Sequence, residues 1–263
     1  MSHPSEAGHW YDFAGNPVYE VPAKNGEPRP TTLRDARKLN LVPSVTGIIR
    51  MAAAPGLERW KLDQMLHAAL TLPRNDAEAE ADWIARVWTD SQETARKASE
   101  RGTRIHAALQ AMYQGSHPGP GELWEHCMGA QEVLGAWHGS PTEAEAEKSF
   151  AHELGFGGKV DLNGDHQKKD FTFVVDFKTK EFGPDDELRA WDEHAMQLAA
   201  YREGLKLPKA RCAICYVSVS HPGTSQLIEI PEADLVRGWD CFKALLSFWQ
   251  AKSRYWPQMK VAA

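Results

Sequence analysis

The spacing of apolar residues changes once along this chain, near residue 140, and that change limits what the chain can fold into. Before it the spacing is helical. Pro43-Ser44-Val45-Thr46 opens a short helix, Gly56 to about Leu70 reads as a second, and a long amphipathic helix runs from about Ala79 to Met112, with Gly102 as a point where it could break. A Gly- and Pro-rich loop, Gly115–Gly121, precedes a helix from Glu122 to about Trp137. After the change, Ala144–His152, Phe156–Asn163 and Phe171–Lys178 read as three consecutive strands, with the turn NGDHQKKD at 163–170 between the last two. Leu188–Gly204 is helical again, Arg211–Ser220 and Ser225–Ile230 are strands, and a helix opening at Pro231 closes the chain near Tyr255. At the other end, residues 10–22 alternate around Gly15-Asn16 as a hairpin, and Ala23–Pro30 reads as a loop.

This order predicts an α/β protein: a sheet flanked by helices, carrying a helical N-terminal extension. The expected division is an N-terminal hairpin and helical region, 1–100, packed on a core at 101–263, the two forming one compact unit. With 263 residues the chain can bury a core without disulfides or a structural metal. No apolar run reaches the roughly 18 residues that span a bilayer, and MSHPSEAGHW is not a secretory signal. We therefore expect a cytoplasmic protein with no membrane partner. A net charge of −6 argues against general coating of nucleic acid, but not against one local basic groove.

The stretch that carries chemistry is GFGGKVDLNG followed by FVVDFKTK. Asp161 lies at the end of an apolar strand preceded by glycines, and Asp176 at the end of a second. Lys178 is two residues beyond Asp176, so the two project to one face. A hairpin turn would bring Asp161 beside them. Two carboxylates and a lysine suit metal-assisted phosphodiester hydrolysis: hard oxygen ligands hold Mg²⁺ or Mn²⁺, and the ammonium stabilises developing charge. Gly155-Phe-Gly-Gly-Lys lacks the spacing of a phosphate-binding P-loop. His117 and His126 lack partners at metal-ligand spacing.

Four segments, in order, resemble the PD-(D/E)xK nuclease superfamily and its RecB-like exonuclease branch. Gly102-Thr-Arg-Ile-His106 resembles the helical G-x-x-x-H motif. Gly158-Lys-Val-Asp161 resembles the motif of the first metal-binding aspartate. Asp176-Phe-Lys178 resembles the (D/E)-x-K motif, and Gln197-Leu-Ala-Ala-Tyr201 the Q-x-x-x-Y helix. The resemblance implies a restriction-endonuclease-like mixed central sheet over the last 120–160 residues, within a bacterial or phage-infected cell. It implies Lys178, Asp176, Asp161, Gln197 and Tyr201 as catalytic residues. Two Mg²⁺ or Mn²⁺ ions would be held by Asp161, Asp176, His106, the backbone of Phe177 and Glu147, with Glu153 competing for the last place. Arg104, Arg101, Lys180 and Ser44 would touch DNA.

An iron–sulfur cluster, found in some members, is not expected. Cys212 and Cys215 are i and i+3 on a strand and point to opposite faces, and Cys127 lies between the motifs rather than before them. The implied activity is a DNA exonuclease in recombination, repair or DNA processing. A recombination or single-strand-binding protein is a partner consistent with that role. An endonuclease of the same fold and a catalytically inactive DNA-binding or assembly subunit are the alternatives. Polarity, strand preference and oligomeric state are not written in the motifs.

Overall fold

The computed structural model describes residues 9–53, 55–116, 119–138, 143–166 and 171–259. His117 and the second half of the expected turn, 167–170, lie outside them. The helices are α1 (Leu33–Leu39), α2 (Val45–Ile49), α3 (Pro55–Thr71), α4 (Glu80–Tyr113), α5 (Glu122–His138), α6 (Asp192–Gly204) and α7 (Glu232–Ser253). The strands are β1 (Trp10–Tyr11), β2 (Glu20–Pro22), β3 (Pro28–Pro30), β4 (Val42–Pro43), β5 (Glu143–His152), β6 (Phe156–His166), β7 (Phe171–Lys180), β8 (Arg211–Ser218) and β9 (Ser225–Ile230). Among the described residues no helix is long and apolar enough to cross a membrane.

The chain is α/β, built on one five-stranded mixed sheet in the order β5-β6-β7-β8-β9. Only β7 and β8 run parallel, because α6 crosses over between them; the other neighbours are antiparallel. Each face of the sheet has its own core. On one face Phe173, Val175, Phe177, Cys215 and Val217 pack with Ile105 and Leu109 of α4 and Cys127 and Leu134 of α5. On the other Val174, Cys212 and Ile214 pack with Leu198 and Ala199 of α6 and Leu235 and Phe242 of α7. Cys212 and Cys215 thus lie in different layers, Cys127 is buried on α5, and Cys241 is exposed on α7.

Two strands break their own alternation. On β5, Ala144 and Ala146 face α4 and α5, whereas Phe150 faces α6 and α7. On β6, Leu162 belongs to the first core and Val160 to the second. Even-numbered residues of a regular strand share one face, so both strands invert at Glu147 and Asp161, the position where the ladder is interrupted between Ala146↔Leu162 and Lys148↔Val160. Glu147 has φ 60, a left-handed conformation costly for a non-glycine residue. The two inversions coincide, so pairing resumes in the same register beyond them.

The N-terminal segment keeps the expected turn around Gly15-Asn16 and adds partners to it. Asp12 makes the turn by accepting the backbone N–H groups of Ala14 and Asn16 at 2.9 Å, Tyr11 bridges to Pro17, and Val18 N donates to the Trp10 carbonyl at 2.8 Å. On its other side Trp10–Tyr11 pairs with Val42–Pro43. Glu20–Pro22 pairs with Pro28–Pro30, inside the expected loop. The boundary expected at residue 100 falls inside α4, which continues unbroken through Gly102. Gly102 is where this helix meets β7: a Cβ there would stand 2.6 Å from the Thr179 hydroxyl.

Helix α6, which carries the Q-x-x-x-Y segment, is set against α7 by a backbone-to-backbone approach. A Cβ on Gly238 would come within 2.7 Å of the Ala195 carbonyl. Gly238→Ala should destabilise the fold by roughly 1–3 kcal/mol, as overpacking does, despite alanine's better helix propensity. Chemical denaturation would measure it; an unchanged midpoint would show that the helices separate freely.

Candidate functional site

The β6–β7 ladder runs from His166↔Phe171 to Leu162↔Val175, while β7 continues along β8 as far as Lys180. Beyond Leu162, the Asp161 carboxylate reaches across to β7, its Oδ2 accepting the Phe177 N–H at 2.8 Å. Asp176, one residue earlier on β7, is 2% exposed. Its Oδ1 accepts a hydrogen bond from Gln197 Nε2 at 2.6 Å, and its Oδ2 lies 2.7 Å from Lys178 Nζ. Gln197 Oε1 in turn accepts from Lys178 Nζ at 3.1 Å, and Gln197 Nε2 also donates to the Tyr201 hydroxyl at 2.9 Å. Gln197 and Tyr201, four apart on α6, are both buried. Their role in this arrangement is to position Asp176 and Lys178.

His106 of α4 approaches from the other face, its Nδ1 at 3.6 Å from Asp161 Oδ2 and its ring edge-on to Phe177. These residues line one cavity of about 390 Å³, together with Gly158, Lys159, Thr179, His9, Tyr11, Tyr19 and Ser44–Thr46. Gly158 lets β6 pass close to two rings, since a Cβ would lie within 3.0 Å of Phe150 and Tyr201.

The electrostatics follow from burying like charges together. Desolvation, then the neighbouring Asp176 charge, pushes Asp161 up to about 7, against the opposing effects of the Phe177 N–H and Lys178. Desolvation lowers His106, leaving the imidazole neutral. Burial would also lower Lys178, but Asp176 and Asp161 outweigh it and the net shift is upward, so the ammonium stays charged. Tyr201 is raised well above its ordinary value, first by burial and then by the two carboxylates.

The other residues singled out in the sequence are placed differently. Glu147 lies level with Asp161 but pairs with Lys159 and does not line the cavity. Glu153 is exposed beyond the end of β5. Ser44 lines the cavity, although its Oγ accepts the Gly47 N–H as the cap of α2. Arg101 pairs with Glu122, and with Arg104 it borders a separate depression on the far side of α4. Lys180 is exposed at the end of β7, outside the cavity.

Among the residues lining the cavity, sequence reading missed His9, Tyr11, Tyr19 and Lys159. The first three belong to the N-terminal segment, whose only signal was a cluster of aromatic residues without motif spacing. Among the described residues no three His, Cys, Asp or Glu side chains already stand together as a metal cluster.

Scans against protein-family models and against curated proteins match nothing. Among solved structures, that of SSO0001 is similar at 15% identity, over 77% of this chain and 74% of that one, with a TM-score of 0.32. A likeness that low carries no argument about fold or function.

A carboxyl whose pKa is raised in the fold adds stability below its unfolded value, near 4, and that stability is lost as pH rises through the folded value, here about 7. Asp161→Asn should therefore raise the thermal midpoint of the metal-free protein at pH 8 and leave it nearly unchanged at pH 4. Melting curves at the two pH values test this. A stabilisation equal at both would mean that Asp161 is not strained by charge.

Proposed function

We propose that the chain is a Mg²⁺- or Mn²⁺-dependent deoxyribonuclease of restriction-endonuclease-like fold, hydrolysing phosphodiester bonds at DNA ends. The observation that carries this reading is the convergence of Asp161, Asp176 and Lys178 in one cavity, from two strands, with Gln197 and Tyr201 behind them. The donor set suits a hard divalent cation. It offers the buried Asp176 carboxylate, the half-buried Asp161 carboxylate and a neutral imidazole, and burial together with the Asp176 charge raises Asp161. Asp161, Asp176, His106 and the Phe177 carbonyl are the groups that would hold the metal. Both oxygens of Asp176 are engaged by Gln197 and Lys178, which leaves Asp161 and His106 the more available donors.

A bound Mg²⁺ or Mn²⁺ supplies charge neutralisation at the phosphate and an activated water. The protein's own part is electrostatic and positional. Asp176 keeps Lys178 protonated at a fixed point facing the cavity, where its ammonium can meet charge developing on a phosphate oxygen. Gln197 holds that pair by donating to one member and accepting from the other, and Tyr201 anchors Gln197. The intact Asp161, Asp176 and Lys178 favour an enzyme over an inactive DNA-binding subunit.

Purified protein should degrade linear DNA with Mg²⁺ or Mn²⁺ and be inert in EDTA. Closed circular DNA should survive; rapid linearisation would move the reading to an endonuclease. Lys178→Ala should lower kcat by roughly 10²-fold or more with only a small loss of DNA affinity, since one phosphate contact among many contributes little. A near-normal rate in that variant would remove Lys178 from the chemistry. His106→Ala should weaken Mn²⁺ affinity by about tenfold, read by calorimetry, and an unchanged titration would leave His106 a purely structural residue.

A further inference from the structure

The cavity lining holds two unlike groups. One carries the carboxylates and Lys178; the other is an aromatic wall of His9, Tyr11 and Tyr19 contributed by the N-terminal segment. His9 and Tyr19 stack with ring centroids 4.5 Å apart at 26°, and Tyr11 meets Tyr19 edge-on at 5.7 Å, their hydroxyls hydrogen-bonded at 2.8 Å. This wall is held in place from several sides. Trp10 Nε1 donates to the Thr31 carbonyl at 3.1 Å, Ser44 N donates to the His9 carbonyl at 2.9 Å, and Ser44 bridges to Gly157 of β6. Tyr11 is buried, Tyr19 half-buried and His9 exposed, so the outer part of the stack remains open to a ligand.

We infer that this wall is a nucleobase-binding surface, and that the cavity takes one nucleotide of a single-stranded DNA end. The inference rests on the nuclease reading of the carboxylates and Lys178 in the same cavity and names their substrate. A nucleotide is bipolar in the same sense as the cavity: its phosphate suits Lys178 and a metal at the carboxylates, and its base has a flat π-face that stacks on aromatic rings whatever the sequence. At about 390 Å³ the cavity lies near the small end of ligand pockets. A space of that size suits one unpaired nucleotide better than a base pair. A terminal nucleotide of a duplex would then be unpaired before it enters, and the Tyr19–His9 stack offers a partner for the base that has lost its neighbour.

The test compares the full-length wild type with Tyr19→Ala, Tyr19→Phe and His9→Ala, each checked for a native melting transition. Cleavage is measured on single-stranded oligonucleotides with ordinary or abasic nucleotides at both ends, and on a blunt duplex. Binding of thymidine 5′-monophosphate is followed separately by NMR. Tyr19→Ala should raise KM for ordinary ends about tenfold, the size of one lost base–aromatic stack, with little change in kcat. Tyr19→Phe, which keeps the ring, should behave as wild type. Abasic ends should show the high KM already and ignore the substitution.

Equal KM for ordinary and abasic ends, or faster attack on the blunt duplex than on the single strand, would overturn the inference while leaving the nuclease intact. A wild type that cleaves no DNA at all would instead remove the nuclease reading. Monophosphate binding that is indifferent to both Tyr19→Ala and His9→Ala would overturn the base-binding wall in either case. If Tyr19→Ala fails to fold, the comparison of His9→Ala with Tyr19→Phe, with the same substrates, decides it.

Discussion

Everything at the candidate site depends on one hydrogen bond, from the Phe177 N–H to the Asp161 carboxylate. It stands where a backbone carbonyl would continue the β6–β7 ladder, so the strands part just where two carboxylates must be buried side by side. Burying one charge without a partner is costly, and burying two of the same sign more so. The structure meets that cost unequally. Asp176 receives an ammonium and an amide, whereas Asp161 receives a backbone N–H and a neutral imidazole nearby. Asp161 is left with its protonation balanced near neutrality.

Around that bond the fold is arranged to deliver groups from different layers. Helix α4 brings His106 from one face of the sheet, made possible by Gly102 against Thr179. Helix α6 brings Gln197 and Tyr201 from the other, seated on Gly238 of α7. The shared inversion at Glu147 and Asp161 turns β5 and β6 so that one end of the sheet serves one core and the other end serves the second. Residues 9–49 are not an appendage on this frame. Trp10 packs edge-on to Trp249 of α7, and Ser44 is bridged to β6, so the N-terminal segment closes a cavity that the sheet alone would leave open.

The sequence by itself determined the succession of the sheet strands and the long helices, and the chemical identity of the central trio. The five strands of the sheet and the long helices carry strong periodicity or Pro and Gly punctuation, and their ends were legible to within a few residues. Asp176 and Lys178 share a face because strand geometry has period two, which needs no knowledge of neighbours. Gln197 and Tyr201 share a face because helix geometry has period 3.6.

What only the tertiary structure decided is which groups meet across elements. Trp10–Tyr11 gains Val42–Pro43 as a second partner beside its own turn, a pairing between distant segments that no local spacing specifies. Arg101 and Arg104 look like groove residues in a list, yet the rotation of α4 that turns His106 inward carries them to the opposite side. Glu147 lies level with Asp161, but its left-handed backbone and the nearby Lys159 give it a different partner. The aromatic wall of His9, Tyr11 and Tyr19 had no motif to announce it, because stacking depends on ring orientation between distant segments, and spacing along the chain does not encode that.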